Sequence, residues 1–202
     1  KPGSYHLGFI LGPRINAGGR VGSPALGSLL LSTENNAEAK HIAIQLDALN
    51  GERRDIEQVV LNDALNQMIS EREAAGPVAF VAGKGWHPGV VGIIASRLKD
   101  RFNRPACVIA INEDGDIATG SGRSVSGIDL GSAVIAAHQA GIINKGGGHR
   151  MAAGFTLNPA RLGDFRKFLN DRVKTQIKEA GIVPTLHFDG SMNTAAAGLG
   201  TA

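Results

Sequence analysis

Apolar residues follow two different rhythms along this chain. Between Glu34 and Ala75 they recur every three or four positions: Ile42, Leu46 and Leu49, then Ile56, Val60, Leu61, Leu65, Met68 and Ile69. That is the spacing of a packed helical face. Ser32-Thr33 is placed to cap a helix near Glu34, and Gly51 interrupts the run before a second helix over Glu52–Ala75. The charged positions Glu52, Arg53, Arg54, Asp55 and Glu57 are mixed in sign and read as a solvated face. After Gly76-Pro77 the rhythm changes to short apolar runs divided by turn residues. Val78–Ala82 and Ala106–Ile111 read as buried strands, with a helix over Val90–Phe102 between them whose Ile93, Ile94 and Leu98 point inward. Asp114-Gly115 is a hairpin signal, so Ile117–Arg123 is expected antiparallel to the preceding strand. Asp129 caps a helix over Leu130–Ala140, and Met151–Leu157 is a further strand. Pro159 opens an amphipathic helix to about Ala180 that buries Leu162, Phe165, Leu169, Val173 and Ile177. The fold class is therefore α/β: a helical linker, then a mixed sheet with helices packed on it. Upstream, the apolar run Leu7–Leu11 ends in a glycine-rich loop over Gly12–Arg20. The expected divisions are 1–22, the remnant of a preceding domain; 23–76, the connector; 77–182, the sheet domain; and 183–202, a following segment or tail.

The 202 residues suffice for a real core, and 43% hydrophobic with 19% charged residues describes a globular protein. Aromatics make up only 4%, which argues against base stacking as the main recognition device. A net charge of +3 and a pI near 9.2 tolerate a polyanionic partner without demanding one. The one cysteine, Cys107, lies within an apolar strand, so a disulfide framework is excluded and a reducing compartment, the cytoplasm, is expected. No apolar stretch approaches the ~20 residues of a membrane span. The chain starts at Lys1 and ends in a small-residue tail, so it reads as a piece of a longer protein.

The stretch richest in chemistry is Lys145-Gly146-Gly147-Gly148-His149-Arg150, followed by Met151-Ala152-Ala153-Gly154-Phe155. A turn of consecutive glycines can aim successive N–H groups one way and form an anion nest, and His149 stands beside it between two cations. The plain alternative is a glycine-rich turn with a surface histidine. Gly120-Ser121-Gly122-Arg123-Ser124 supplies a second cation with small neighbours and two hydroxyls. Together the two motifs favour a phosphate site, with His149 donating to a phosphate oxygen or leaving group. Arg14 and Arg20 bracket the upstream loop and could form a phosphate fork, or merely sit in solvent. His87, His138 and His187 read as loop, packing or surface residues, and no ligand spacing marks a metal site. The P-loop and Gly-x-Ser-x-Gly patterns are absent.

Four motifs carry a family resemblance: Leu11–Arg20, Gly85-Trp86-His87-Pro88-Gly89-Val90-Val91-Gly92-Ile93, Gly120–Ser124, and the Gly-Gly-Gly-His run with Ala152-Ala153-Gly154-Phe155. On these, the chain from Leu7 to Gly190 resembles the RecJ family of single-strand-specific DNA exonucleases in the DHH phosphoesterase superfamily. The resemblance implies the end of a DHH domain, a helical linker and a DHHA1-type substrate-binding domain. It implies 5′-to-3′ degradation of single-stranded DNA in repair and recombination. It also implies Mn2+ or Mg2+ held by aspartates and histidines that would lie upstream of Lys1, with no metal ligand in this chain. A fragment without those residues is expected to be inactive. The remaining DHH domain and an oligonucleotide-binding domain would be its partners within one protein. By resemblance, Gly146, Gly147, Gly148 and His149 contact the scissile phosphate. Arg123, with Ser121 and Ser124, holds a neighbouring or 5′-terminal phosphate, and Arg14, Asn16 and Arg20 support the 5′ end. Two other readings compete: a nano-RNA or cyclic-dinucleotide phosphodiesterase of the same superfamily, and a non-catalytic nucleic-acid-binding module.

Overall fold

The computed structural model describes residues 1–70 and 76–181, together with Gly190, Ser191 and Asn193. The expected ends of the connector helix at 71–75 and of the chain at Leu186–Asp189 lie outside them.

The connector is one helix rather than two. α3 runs unbroken over Asn36–Ser70. Gly51 lies on its open side with nothing near a potential Cβ, and the helix tolerates it because packing on both sides fixes the backbone. Its start is capped by Asn35, whose Oδ1 accepts from Ala37 N at 3.0 Å, while Thr33 Oγ1 accepts from Asn35 N at 3.2 Å. Ile42 and Leu46 are buried toward the N-terminal half, and Val60, Ala64 and Met68 toward the C-terminal half. Ile69, placed on the packed face by spacing, is 66% exposed. The charged face is not all solvated either, since Arg53 and Glu57 are both buried.

The stretch expected to be a loop at Gly12–Arg20 is a helix. After a π-helical turn over His6–Leu11, α1 covers Gly12–Val21 with Pro13 in its first turn, and α2 covers Ala25–Ser32. The glycines serve close helix contacts rather than loop freedom. A Cβ on Gly18 would stand 2.6 Å from Ser23 O, and one on Gly27 2.7 Å from Ile15 O. Both helices pack against the first half of α3.

The second half of α3 lies against a five-stranded sheet of order β1-β2-β3-β5-β4, formed by Ala79–Lys84, Ala106–Ile111, Ala118–Arg123, Lys145–His149 and Ala152–Leu157 as β1 to β5. β1 and β2 are parallel, joined through α4 (Pro88–Phe102), as a parallel pair requires; every other pairing is antiparallel. The Asp114-Gly115 turn, the Asp129 cap of α5 (Leu130–Gln139), and the closing helix α6 (Leu162–Ala180) follow the sequence pattern. Asp129 Oδ1 accepts from Ser132 N at 2.9 Å. α5 and α6 bury one face of the sheet around Phe80, Ile109, Phe155 and Phe165. α3 and α4 cover β1 and β2 on the other face around Val81, Val90, Ile94 and Val108.

Lys145–His149 is the edge strand, not a turn; the reversal falls on Arg150-Met151. Two close approaches explain it. A Cβ on Gly146 would meet Ile143 and Val134 at 2.6 and 2.8 Å, and one on Gly131 would meet the His149 backbone at 2.7 Å. The first turn of α5 thus lies directly on the main chain of β4. In an extended strand successive N–H groups point opposite ways, so the run does not form the expected nest.

Candidate phosphate-binding site

Cross-strand register sets out the site. Arg123 on β3 stands opposite Ala152 on β5, and Ala152 opposite His149 on β4. Directly opposed residues share a face, so Arg123 and His149 look out from the same side, about 10 Å apart at two strand spacings. The next row on that face is Ser121, Gly154 and Gly147, and the third is Thr119, Thr156 and Lys145. Their neighbours Gly122 and Phe155 turn to the opposite, buried side. Among the described elements, α4 packs across β2 and β3 rather than over β5 and β4. No atom among the described residues comes within 4 Å of a Cβ built on Gly147 or Gly154. The result is an open sheet floor with basic groups along its border.

Arg123 is fixed beside α4. Its Nη1 donates to Ser121 Oγ and to Gly122 O, both at 2.9 Å. A Cβ on Gly92 would sit 3.1 Å from Arg123 Nη2 and 3.2 Å from Ser121 Oγ, so the guanidinium rests beside the start of the second turn of α4. Burial pushes its pKa below the ordinary arginine value, and the positive charge of Arg20 pushes the same way. Arg20, in the last turn of α1, donates through Nη1 to Gly89 O at 3.2 Å. A Cβ on Gly89 would lie 2.0 Å from Arg20 O, so the end of α1 meets the start of α4 in backbone contact. His87 caps α4, its Nδ1 accepting from Gly89 N at 3.0 Å. Two guanidinium groups with no carboxylate partner among the described residues therefore lie along the first two turns of α4, an arrangement suited to an anion. His149 Nδ1 accepts from Met151 N at 3.4 Å. The ring proton then belongs on Nε2, the atom left to donate outward.

Not every expected residue joins this cluster. Arg14 is paired with Asp47 of α3 at 2.7 Å and also donates to Ile10 O at 2.9 Å. Ser124 is buried, its hydroxyl donating to Ile128 O at 2.9 Å, where it ties a loop. Asn16 is exposed one turn before Arg20 on the same side of α1. Gly146 and Gly148 serve packing, and only Gly147 of the three is open. The sequence reading quoted Gly89 and Gly92 in a motif but did not place them in the site, where their lack of a side chain admits Arg20 and Arg123. Their spacing of three in the first two turns of the helix from Pro88 was the available signal. Among the described residues, no three His, Cys, Asp or Glu side chains gather as a metal site. The cluster is cationic, so its residues do not fit a divalent metal.

The DHHA1 domain model matches residues 75–175, half of the chain. The chain belongs to the DHHA1 domain family. Its DHHA1 region and the helices before it also align with the curated single-stranded-DNA-specific exonucleases RecJ of Bacillus subtilis, at 38% identity over 91% of this chain, and of Escherichia coli, at 36% over 96%. This chain spans only 23% and 34% of those proteins. Among solved structures, RecJ from Thermus thermophilus in complex with Mn2+ superposes with a TM-score of 0.73 at 30% identity, covering 84% of this chain and 24% of that one. The mixed α/β architecture expected from the sequence is thus shared with RecJ.

Proposed function

We propose that this chain is the substrate-holding part of a 5′-to-3′ single-stranded-DNA exonuclease of repair and recombination, located in the cytoplasm. The observation that carries the reading is the convergence of Arg123 and Arg20 on the start of α4, on the same open face as His149. The desolvated guanidinium of Arg123 gains most from a phosphate that binds both of its edges. Ser121, already holding Nη1, fixes the angle of the fork. His149 offers Nε2–H to an oxygen of a second, scissile phosphate across the floor, where negative charge builds as a phosphodiester is cleaved. The chemistry of bond cleavage needs divalent metals, Mn2+ or Mg2+, and these belong to residues of the longer protein. Chain boundaries in this reading are 1–22 for the end of the DHH domain, 23–76 for the connector, and 77–182 for the DHHA1 domain. An oligonucleotide-binding domain is the further partner in the same protein. No helix among the described residues is long and apolar enough to cross a membrane.

The test compares this chain with a version extended upstream through the DHH domain. Manganese-dependent nucleotide release from 5′-phosphorylated single-stranded DNA is expected from the extended protein alone. Arg123→Ala in the extension is expected to lower kcat/KM by at least 100-fold, with little change in melting temperature. Hydrolysis of dinucleotides in preference to long strands would support the nano-RNA phosphodiesterase reading instead. Release by the bare 202 residues would overturn the division of labour.

A further inference from the structure

A second basic site lies on the other side of Arg20, away from the sheet floor. A cavity of about 330 Å³ opens between α1, α3 and α4, with Asn16, Arg20, Arg53, Glu57, Ile93 and Arg97 in its walls. Three of these are guanidinium groups, and only one is a carboxylate. Arg53 is 9% exposed and Glu57 3%. Arg53 Nη1 pairs with Glu57, Nη2 donates to Asn50 Oδ1 at 3.1 Å, and Nε finds no acceptor among the described residues. Arg97, from α4, pairs with the same Glu57 while remaining half exposed. Glu57 thus serves two cations and balances one, and Arg20 adds a third charge at the rim. Burying charge without full compensation is costly, so a cavity whose walls carry a surplus of two positive charges fits an anionic occupant.

We propose that this cavity is a second phosphate subsite, holding a backbone phosphate of the strand whose terminal phosphate sits at Arg123. The assignment rests on the nucleic-acid reading given above. Arg20 forms the boundary between the two subsites, touching Gly89 at the top of α4, while Arg97 lies eight residues further along that helix, about 12 Å away at its rise per residue. Arg123 itself rests at Gly92, five residues before Arg97, which is about 7.5 Å of rise and about 140° round the helix. A mononucleotide held at Arg123 therefore does not span to Arg97, whereas an oligonucleotide does. Phosphate is favoured over a sugar or base because the polar wall offers mostly N–H donors, and guanidinium forks match phosphate geometry.

The experiment titrates this chain with 5′-phosphorylated single-stranded DNA of one, two, six and ten nucleotides at several salt concentrations, by fluorescence anisotropy, comparing the parent with Arg97→Ala and Arg123→Ala. Circular dichroism checks the fold of each, and Asn16→Ala, on the exposed rim, is a second probe of the cavity. Arg97→Ala is expected to weaken binding of the six- and ten-residue strands about tenfold and to leave the mononucleotide unchanged. The slope of log affinity against log salt should shrink by about 0.7, the loss of one phosphate contact on a single strand. Arg123→Ala should weaken every length. Unchanged affinity and slope in both Arg97→Ala and Asn16→Ala, with binding lost in Arg123→Ala, would discard the second subsite and keep the first. Binding insensitive to all three substitutions would remove the subsite and the functional reading together.

Discussion

Neighbouring positions on β2 and β3 make opposite demands of the protein. Cys107 points into the α5–α6 core beside Gly122, and burial pushes its thiol up to about 12 from an ordinary 9.0. Arg123, one step along β3, points the other way and is held beside the uncovered floor with its pKa lowered. The first is an interior group kept neutral; the second is a cation kept charged and short of solvent. At the residue scale this gives a checkable consequence for Cys107. Between pH 9 and 12 the folded state keeps the thiol proton that the unfolded chain releases, so stability is full below pH 9 and falls through that window. The loss should approach about 1.4 kcal/mol per pH unit from this group. Urea melts of the parent and Cys107→Ala, followed from pH 8 to 11, should show that the substitution removes this share of the decline. Iodoacetamide at pH 8 should label the native thiol far more slowly than the urea-unfolded one. Both Cys107 and Arg123 were legible in the sequence, because an apolar run marks a buried thiol and small neighbours mark an arginine left accessible. Arg53 and Glu57 were not. Mixed charge on a helix has the same local pattern whether water or α4 lies beside it.

Among the elements, the helices show what periodicity resolves and what it leaves open. The apolar spacing gave α3 its position and its two buried stripes. It did not decide whether Gly51 broke the helix, because glycine weakens a helix without forbidding it. The structure leaves Gly51 in open space with helical geometry. Gly51→Ala should therefore raise stability by about 1 kcal/mol, measured by urea denaturation, and leave DNA affinity untouched. A loss of stability would mean that the helix needs flexibility there. Trp86 shows how α3 is held to the sheet domain. Its indole folds over Gly83 and donates through Nε1 to Asp63 Oδ2 at 2.9 Å, while Gln67 bonds both N–H and C=O of Ala82 on the outer edge of β1. Asp63→Ala should cost about 1–2 kcal/mol from the lost bond to a charged group, seen as a lower urea midpoint. Glycine clusters were the harder signal. Those in α1 and β4 looked like turns because freedom of the backbone and close packing call for the same residue.

For the whole molecule, the uncovered side of the sheet is the informative feature. Gly154 and Gly147 oppose each other in mid-strand, and neither positive φ nor a crowding neighbour requires glycine at either position. Glycine there weakens the strand, and such positions mark close approach by another molecule. Gly154→Val should hold or raise the melting temperature, since a β-branched residue suits an open strand. It should also weaken binding of single-stranded DNA by tenfold or more, measured by anisotropy. Unchanged DNA affinity in a folded Gly154→Val protein would move the substrate path off this floor.

The sequence by itself determined the α/β class, four of the five strands, the cap at Asp129, the burial of Cys107, and the motifs that align with DHHA1 and RecJ. These depend on periodicity, turn chemistry and local spacing, which a few consecutive residues carry. Only the tertiary structure decided that Gly12–Arg20 is helical, that the glycine-histidine run is an edge strand, and that Arg14 and Ser124 are engaged elsewhere. It alone brought Arg20 to Arg123 and Arg53 to Arg97. Those outcomes depend on which distant backbone passes within van der Waals reach, a property set by the packing of whole elements.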